Sequence, residues 1–229
     1  MAVSNLRSSH RLVAVLLLCI LPWPAVWLGI YRLNSVIWTF VLYHGVCLLP
    51  AAFFGRRLWM DSFRAPTRTQ WTAVFVATAI MGPLSVWVYS HLGDLFINRQ
   101  NVLSMVTSRG FRLTQISWFG FYFIPVNAIL EELFWRGVVL NELKGATPAA
   151  QRFGTAWTAV TFAAWHFLVL RLLLRPMWAE AVLGLIMCAG FFLEWVYERA
   201  ERITVPILWH ALVFDLPLVL IFASVLKHR

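Results

Sequence analysis

Three charged side chains interrupt an apolar run in the middle of the chain, and their types suit them to chemistry. The run reads FGFYFIPVNAILEELFWRGVVL and carries Glu131, Glu132 and Arg136. A charge at the centre of a bilayer costs roughly 2.5–3.5 kcal/mol on insertion scales, so a membrane segment that holds three of them is expected to use them. Two further apolar runs hold His166 and His210. Carboxylates and imidazoles inside apolar segments are typical of sites that activate water or transfer protons.

The positions of the two glutamates on a helix predict different roles for them. Successive side chains on an α-helix are about 100° apart, so Glu131 and Glu132 point in different directions. Glu132 and Arg136 are four residues apart with the acid N-terminal to the base, which favours an ion pair on one stripe. Glu131 shares its stripe with Asn127 and is left free to face a cavity as a general base. The alternative is that the three charged residues form a buried ionic clamp between helices.

The histidines differ in how strongly their surroundings indicate function. His166 closes the segment TAVTFAAWHF, and Phe162 lies one turn earlier on the same face, where its ring could wall a site and exclude water. A lone intramembrane histidine is equally often a satisfied hydrogen-bonding group. His210 lies in PILWHALVFDLP, close to an acidic residue. His44 and His91 have no acidic neighbour in the sequence, and we interpret both as structural.

The composition predicts the elements that must position these residues. The chain has 229 residues, of which 61% are apolar, 16% aromatic and 13% charged, and its mean hydropathy is +0.74. Runs long enough to cross about 30 Å of hydrocarbon recur along most of the length. We therefore predict an all-α fold, a polytopic transmembrane helix bundle of about seven spans that forms a single membrane-embedded domain over residues 1–229. The candidate spans are 12–31, 36–54, 71–92, 115–140, 154–174, 177–197 and 204–226.

The net charge of +9 does not indicate a nucleic-acid partner, because nearly all basic residues fall in short connections between apolar runs. There they are better interpreted as topology signals and contacts to anionic headgroups. Cys19, Cys47 and Cys188 lie in apolar stretches at unrelated spacings, which predicts neither a disulfide framework nor a metal site. Leu18 is not the small residue that a cleavage site before Cys19 would need, so we expect the first apolar run to be a retained helix.

Three short motifs together resemble those of a known family. EELFWR has the form EExxxR, FAAWH has the form FxxxH, and PILWHA is similar to the stretch around the last histidine of the CPBP family. This family of CAAX proteases and bacteriocin-processing enzymes, also called Abi, includes the eukaryotic Ras-converting CAAX endopeptidase. The resemblance covers about residues 115–215, which would be the catalytic helices, and the motifs follow in the expected order on separate apolar spans.

The resemblance implies a helix bundle around a cavity open to membrane and water, and a glutamic-type mechanism without a cofactor. Carried over by motif, Glu131 and His166 would activate water, Glu132 and Arg136 would support the site, and His210 would help to stabilise the oxyanion. Zinc held by Glu131, His166 and His210 is the second choice, because two histidines and a carboxylate can bind zinc. No HExxH-type pairing is present.

One departure from the family pattern concerns the end of the resembling segment. The family usually has Asn four residues after the last histidine, where this chain has Phe214, followed by Asp215. On a regular helix Phe214 lies about 40° from His210 and Asp215 about 140° away, so Asp215 would miss the site. Pro217 favours a wide turn through residues 213–217, which would swing Asp215 back. Asp215 is therefore a candidate site residue.

Three functions follow from these patterns. The first is an intramembrane endopeptidase that acts on a membrane-anchored protein or peptide in the lipid bilayer. The second is a non-catalytic relative that serves in bacteriocin immunity or as a scaffold, which the missing Asn favours. The third is a proton-coupled transporter, although the sequence lacks the inverted repeats typical of that class. We expect a multi-pass protein of the bacterial inner (plasma) membrane, and prenylated CAAX tails, leader peptides and sorting signals all remain compatible substrates.

Overall fold

The computed structural model describes residues 2–227, and the side chains of residues 11–225 except that of Leu113. Over these residues the chain is helical and has no strand. The α-helices are α1 Ala2–Ile20, α2 Pro22–Trp27, α3 Val36–Phe40, α4 Leu49–Phe54, α5 Arg68–Phe96, α6 Arg99–Ser108, α7 Ile116–Glu132, α8 Asn141–Ala146, α9 Pro148–Ala164, α10 Phe167–Leu173, α11 Trp178–Ala200, α12 Thr204–Trp209 and α13 Leu216–Lys227. The π-helical segments Leu28–Arg32, Val41–Leu48, Leu133–Leu140 and His210–Asp215 each continue the preceding α-helix.

Six helical stretches in the described part of the chain are long and apolar enough to cross a membrane. They are Arg11–Arg32, Val36–Phe54, Arg68–Phe96, Pro148–Leu173, Trp178–Ala200 and Thr204–Val225. The predicted polytopic all-α bundle is confirmed, but the predicted span 115–140 is not among the six. That segment is one continuous helix from Ile116 to Leu140, and the charged residues near its centre lower its hydropathy. The six candidate spans, with the further helix that carries the charges, agree with the prediction of about seven spans.

The outer surface of the bundle is apolar, as expected for a protein embedded in lipid. Large side chains such as Trp118 and Phe121 are 75% and 77% exposed, whereas Glu131, Glu132 and Arg136 are at most 1% exposed. A soluble protein would show the opposite arrangement, with apolar residues inside and charges in water. The chain is an integral membrane protein whose polar groups gather in its interior.

Local signals explain where several helices begin. Thr67 caps α5, since its hydroxyl accepts from the Gln70 N–H while the Gln70 side chain accepts from the Thr67 N–H, which is a complete capping box. Thr147 caps α9 in the same way, accepting from the Ala150 N–H, and Pro148 occupies the first helical position. The first span is interrupted at Leu21, directly before Pro22. These caps satisfy backbone N–H groups that the first turn of each helix leaves unpaired.

The segment Ile116–Leu140 lies at the centre of the packing, and a close contact between α9 and α11 completes its surroundings. A Cβ on Gly190 would lie 3.2 Å from both Ala159 Cα and Phe162 Cδ1, so the missing side chain allows the two helices to approach. Aromatic and aliphatic residues from the first two spans, from this central segment and from the span Pro148–Leu173 form the main core cluster: Val26, Tyr43, Leu48, Phe134, Trp135, Val139, Phe162 and Trp165. The polar site lies within this apolar shell.

Candidate active site

Three of the helices that carry polar residues become π-helical at the site. Val41–Leu48 contains Tyr43 and His44, Leu133–Leu140 begins directly after Glu132, and His210–Asp215 has a site residue at each end. A π-helical turn holds one more residue than an α-helical turn and has poorer backbone geometry, and such turns are frequent at functional sites. Their coincidence here makes this region a candidate functional site.

Glu132 and Arg136 form a fully buried ion pair, as predicted. Arg136 Nη1 donates to Glu132 Oε1 over 2.9 Å, and both side chains are 0% exposed. Arg136 Nη2 donates to the Gly190 carbonyl over 2.9 Å, and the guanidinium lies 4.6 Å from the ring centroid of Phe162. The pair therefore ties the central helix to α9 and α11. His210 Nδ1 also lies 2.7 Å from Glu132 Oε1, so Glu132 serves both a cation and an imidazole.

Glu131 has partners that differ from those of Glu132, in agreement with the 100° argument. Tyr43 donates its hydroxyl proton to Glu131 Oε1 over 3.0 Å. The other oxygen, Oε2, lies 3.7 Å from His210 Nε2 and receives no hydrogen bond. At 1% exposure the carboxylate lies in the dry interior of the bundle, where the sequence had suggested a position facing a cavity.

The helical turn after His210, at the end of the segment that resembles the family, adopts the wider of the two predicted backbone geometries. Residues His210–Asp215 are π-helical, and the Leu216 N–H donates to the Ala211 carbonyl five residues earlier. Asp215 Oδ1 lies 3.6 Å from His210 Nε2, although a regular helix would have turned this side chain away. The widened turn comes before Pro217, which is the second residue of α13, and not at 213–217 as the sequence suggested. Carboxylate oxygens thus face both ring nitrogens of His210.

His166 lies at the break between α9 and α10. Its Nδ1 lies 2.9 Å from the Phe162 carbonyl, and its ring stacks on Trp165 with centroids 3.8 Å apart. The Phe162 ring separates the two imidazoles, with its centroid 5.2 Å from that of His166 and 6.0 Å from that of His210. The structure shows no hydrogen bond between His166 and Glu131, so the two predicted partners in water activation do not touch directly.

Three further buried polar residues belong to the site and were missed or dismissed from the sequence. Tyr43 binds Glu131, and His44, interpreted above as structural, bonds to Asn127 through Nε2 over 3.1 Å. Glu194 on α11 is 0% exposed, and neither of its oxygens has a hydrogen-bond partner. Both Tyr43 and Glu194 are polar groups in apolar runs, which is the signal that identified Glu131. The sequence offered no way to tell which helices they would face.

The arrangement of Glu131, His166 and His210 decides whether these residues could bind zinc. Among the described residues no group of three His, Cys, Asp or Glu side chains is arranged to hold a metal ion. The ring nitrogens of His210 face Glu132 on one side and Glu131 and Asp215 on the other, and Nδ1 of His166 is bound to a carbonyl. The residues as arranged therefore do not fit zinc ligation by Glu131, His166 and His210.

A groove of about 530 Å³ opens on the outer surface between α7 and α13. Its walls are almost entirely apolar: Ile116, Ser117, Gly120, Phe121, Ile124, Pro125, Val219 and Ala223. The groove ends at Pro125, two residues before Asn127 on the same helix. The helix that lines the groove, α7, also carries Asn127 and Glu131 further along the chain.

Comparison with known proteins finds a family model that matches the segment carrying most of this site. The family model described as Rce1-like, type II CAAX prenyl endopeptidase Rce1-like, matches residues 113–213, somewhat less than half of the chain. The matched segment contains the EExxxR and FxxxH motifs and His210, and it stops before Asp215. No curated protein and no solved structure matches the chain.

Over residues 113–213 the chain is therefore similar to CAAX endopeptidases, which supports the predicted resemblance to the CPBP family of CAAX proteases. The helix that is not among the six candidate membrane spans is the one on which the two motif glutamates lie.

Proposed function

We propose that this protein is an intramembrane endopeptidase in which Glu131 and His166 activate water against a peptide bond of a membrane-associated protein. The observation that carries the proposal is Glu131 Oε2, a buried carboxylate oxygen that receives no hydrogen bond. A general base needs a free lone pair in a site that excludes bulk water. Glu132 is less suited to this role, because its Oε1 is already shared between Arg136 and His210.

The hydrogen bond of His166 determines which of its ring nitrogens carries the proton and which can accept a hydrogen bond. A carbonyl oxygen only accepts, so Nδ1 carries the proton and donates to the Phe162 carbonyl. In the neutral ring this leaves Nε2 with its lone pair free, and the structure gives Nε2 no hydrogen-bond partner. His166 Nε2 can therefore accept a hydrogen bond from the attacking water and orient it.

The reaction then runs through ordinary acyl transfer to water. Glu131 Oε2 takes a proton as the water oxygen bonds to the carbonyl carbon, and the carbonyl π electrons move onto the substrate oxygen. The Nε2–H of His210 is placed to stabilise that oxyanion, while Glu132 and Arg136 hold the ring through Nδ1. The proton on Glu131 passes to the amide nitrogen, the C–N bond breaks, and a carboxylic acid and an amine leave.

The groove between α7 and α13 supports a substrate that lies in the membrane. Its walls are apolar, which suits an apolar segment of a membrane-anchored substrate, and one of its two helices, α7, also carries Glu131. The family model names prenylated CAAX proteins as the substrates of its members. We extend this to the present chain as a substrate class of membrane-anchored proteins or peptides.

The test uses wild-type protein in liposomes and two internally quenched peptides, one farnesylated CAAX peptide and one unlipidated transmembrane peptide. Wild type should cleave at least one of them, and Glu131→Gln should lower the cleavage rate about 10²–10⁴-fold, because the amide cannot take a proton. Glu180→Gln makes the same chemical change at an exposed position of α11 and should leave the rate unchanged. Wild-type cleavage by Glu131→Gln would refute the assignment. Failure of wild type on both peptides would favour the non-catalytic alternative.

A further inference from the structure

A row of polar groups runs across three helices from the partly exposed Tyr122 through buried His44, Asn127 and Asp215 to His210. Tyr122 Oη lies 2.8 Å from His44 Nδ1, and His44 Nε2 lies 3.1 Å from Asn127 Oδ1. Asn127 Nδ2 donates to Asp215 Oδ2 over 3.1 Å, and Asp215 Oδ1 faces His210 Nε2 at 3.6 Å. We name Tyr122, His44, Asn127 and Asp215 the amide relay, after the side chain at its centre.

One assignment of protons satisfies every contact in the amide relay. The carboxylate of Asp215 accepts, so Asn127 must present its NH₂ group to it and its oxygen to His44. His44 Nε2 then carries the proton, which leaves Nδ1 to accept from the Tyr122 hydroxyl. The relay therefore has a single direction, with Asp215 as its terminal acceptor.

Resting on the function proposed above, we propose that His44 and Asn127 are positioning residues for His210, acting through Asp215. The Asn127 amide is the hydrogen-bond donor that the structure gives Asp215, and Asp215 sits on the π-helical segment whose geometry brings it to His210. Loss of that donor frees the carboxylate to rotate away from the imidazole. The Phe40 ring packs against His44 and Tyr122, with centroids 5.1 Å and 6.1 Å away.

The first arm of the experiment measures kcat, KM and melting temperature of liposome-reconstituted or detergent-purified variants with the two quenched peptides. His44→Leu removes the partner of Asn127 and should lower kcat about 10²-fold, since small misplacements of catalytic groups have effects of that size. KM should change less than about threefold, because substrate contacts are untouched. His44→Gln keeps a donor toward Asn127 and should restore kcat to within about tenfold of wild type.

The matched control is His91→Leu, which removes an exposed histidine of α5 and should leave all three quantities unchanged. A purely structural role for His44 predicts a lower melting temperature with wild-type kcat per folded molecule. That result, or wild-type kcat in His44→Leu, would overturn the proposal.

The second arm tests the contact between positions 127 and 215 by exchanging the two side chains. Asn127→Asp alone places two carboxylates against each other and should lower the melting temperature. Combining it with Asp215→Asn restores one donor and one acceptor, with the direction of the hydrogen bond reversed, so stability should return. The exchange moves the negative charge from position 215 to position 127, which is farther from His210. We therefore expect kcat to stay low even when stability recovers. An exchange that restores neither quantity would overturn the relay.

A spectroscopic reading separates this proposal from the proteolytic function itself. In ¹⁵N-histidine-labelled wild type, His44 should show the signals of the Nε2–H tautomer, and Asn127→Ala should release that fixed tautomer. The opposite tautomer in wild type would refute the relay whether or not any peptide is cleaved. Conversely, full cleavage by Glu131→Gln together with the expected His44 signals would refute only the proposed catalytic function.

Discussion

Replacing Arg136 by methionine removes the one guanidinium in the buried part of the site and keeps most of the apolar length of the side chain. The structure shows what is lost. Arg136 gives one hydrogen bond to Glu132 and one to the Gly190 carbonyl, each of 2.9 Å, and its charge lies over the Phe162 ring. All of this occurs at 0% exposure, so water cannot replace the lost donors.

The expected loss of stability follows from these contacts. Removing one partner of a buried ion pair destabilises a protein by about 3–5 kcal/mol, because the other charge stays buried without compensation. His210 still faces Glu132, which favours the lower end of that range. A chain of this size loses about 2–4 °C of melting temperature per kcal/mol, so Arg136→Met should melt about 6–20 °C below wild type.

The assay is thermal unfolding in one detergent, followed by tryptophan fluorescence. Arg152→Met is the matched control, because Arg152 is exposed on α9 and makes a single 3.4 Å hydrogen bond to the Pro148 carbonyl. A double variant, Glu132→Leu with Arg136→Met, removes both charges and should regain most of the lost stability. If Arg136→Met has the same melting temperature as the Arg152→Met control, Glu132 carries no buried charge that needs Arg136, and the reasoning is wrong.

Two further predictions concern the metal and the position after His210. Activity should survive exhaustive chelation, because Glu131 and His166 can activate water without a metal ion; activity that is lost and then restored by zinc would reassign Glu131, His166 and His210 as ligands. Phe214→Asn should not raise the cleavage rate, because Asp215 already occupies the polar position beside His210 and Phe214 packs against Phe192 with centroids 6.3 Å apart. A clear gain of activity in that variant would show that position 214, and not 215, faces the reacting carbonyl.

Much of the fold could be predicted because apolar runs of spanning length are a strong local signal. The exception is instructive. The segment 115–140 was expected to be a span like the others, yet the polar residues Asn127, Glu131, Glu132 and Arg136 make it too polar to qualify on hydropathy. A helix that is enclosed by other helices can carry such residues, since its neighbours replace the lipid around it.

Contacts within one helix were also predictable, because the spacing of side chains on a helix is known in advance. The pair of Glu132 and Arg136, and the separation of Glu131 from that pair, follow from four-residue and one-residue spacings. The same rule failed at Asp215, where the backbone widens. No residue pattern in HALVFD distinguishes a π-helical turn from an α-helical one, apart from the nearby Pro217.

Contacts between helices could not be predicted from the sequence. His44 and Asn127 are 83 residues apart, and Tyr43 and Glu131 are 88 apart, so no local spacing connects them. His44 was set aside for want of an acidic neighbour in sequence, although its partner in space is an amide. Its relevance depends on which faces of the helices meet, and that is decided by the packing of the whole bundle.

The buried charges cannot be explained as a source of stability. Eight ionisable side chains of the site are at most 5% exposed: Tyr43, His44, Glu131, Glu132, Arg136, Glu194, His210 and Asp215. A buried ion pair is on average no more stabilising than well-packed apolar residues of similar volume, and both oxygens of Glu194 lack any hydrogen bond. A bundle selected only to fold would have placed leucine at such positions. The double variant at 132 and 136 should therefore be folded at near wild-type stability and still cleave poorly, because His210 loses the carboxylate that fixes its ring. A stable, fully active double variant would instead show that the charges serve neither the fold nor the reaction.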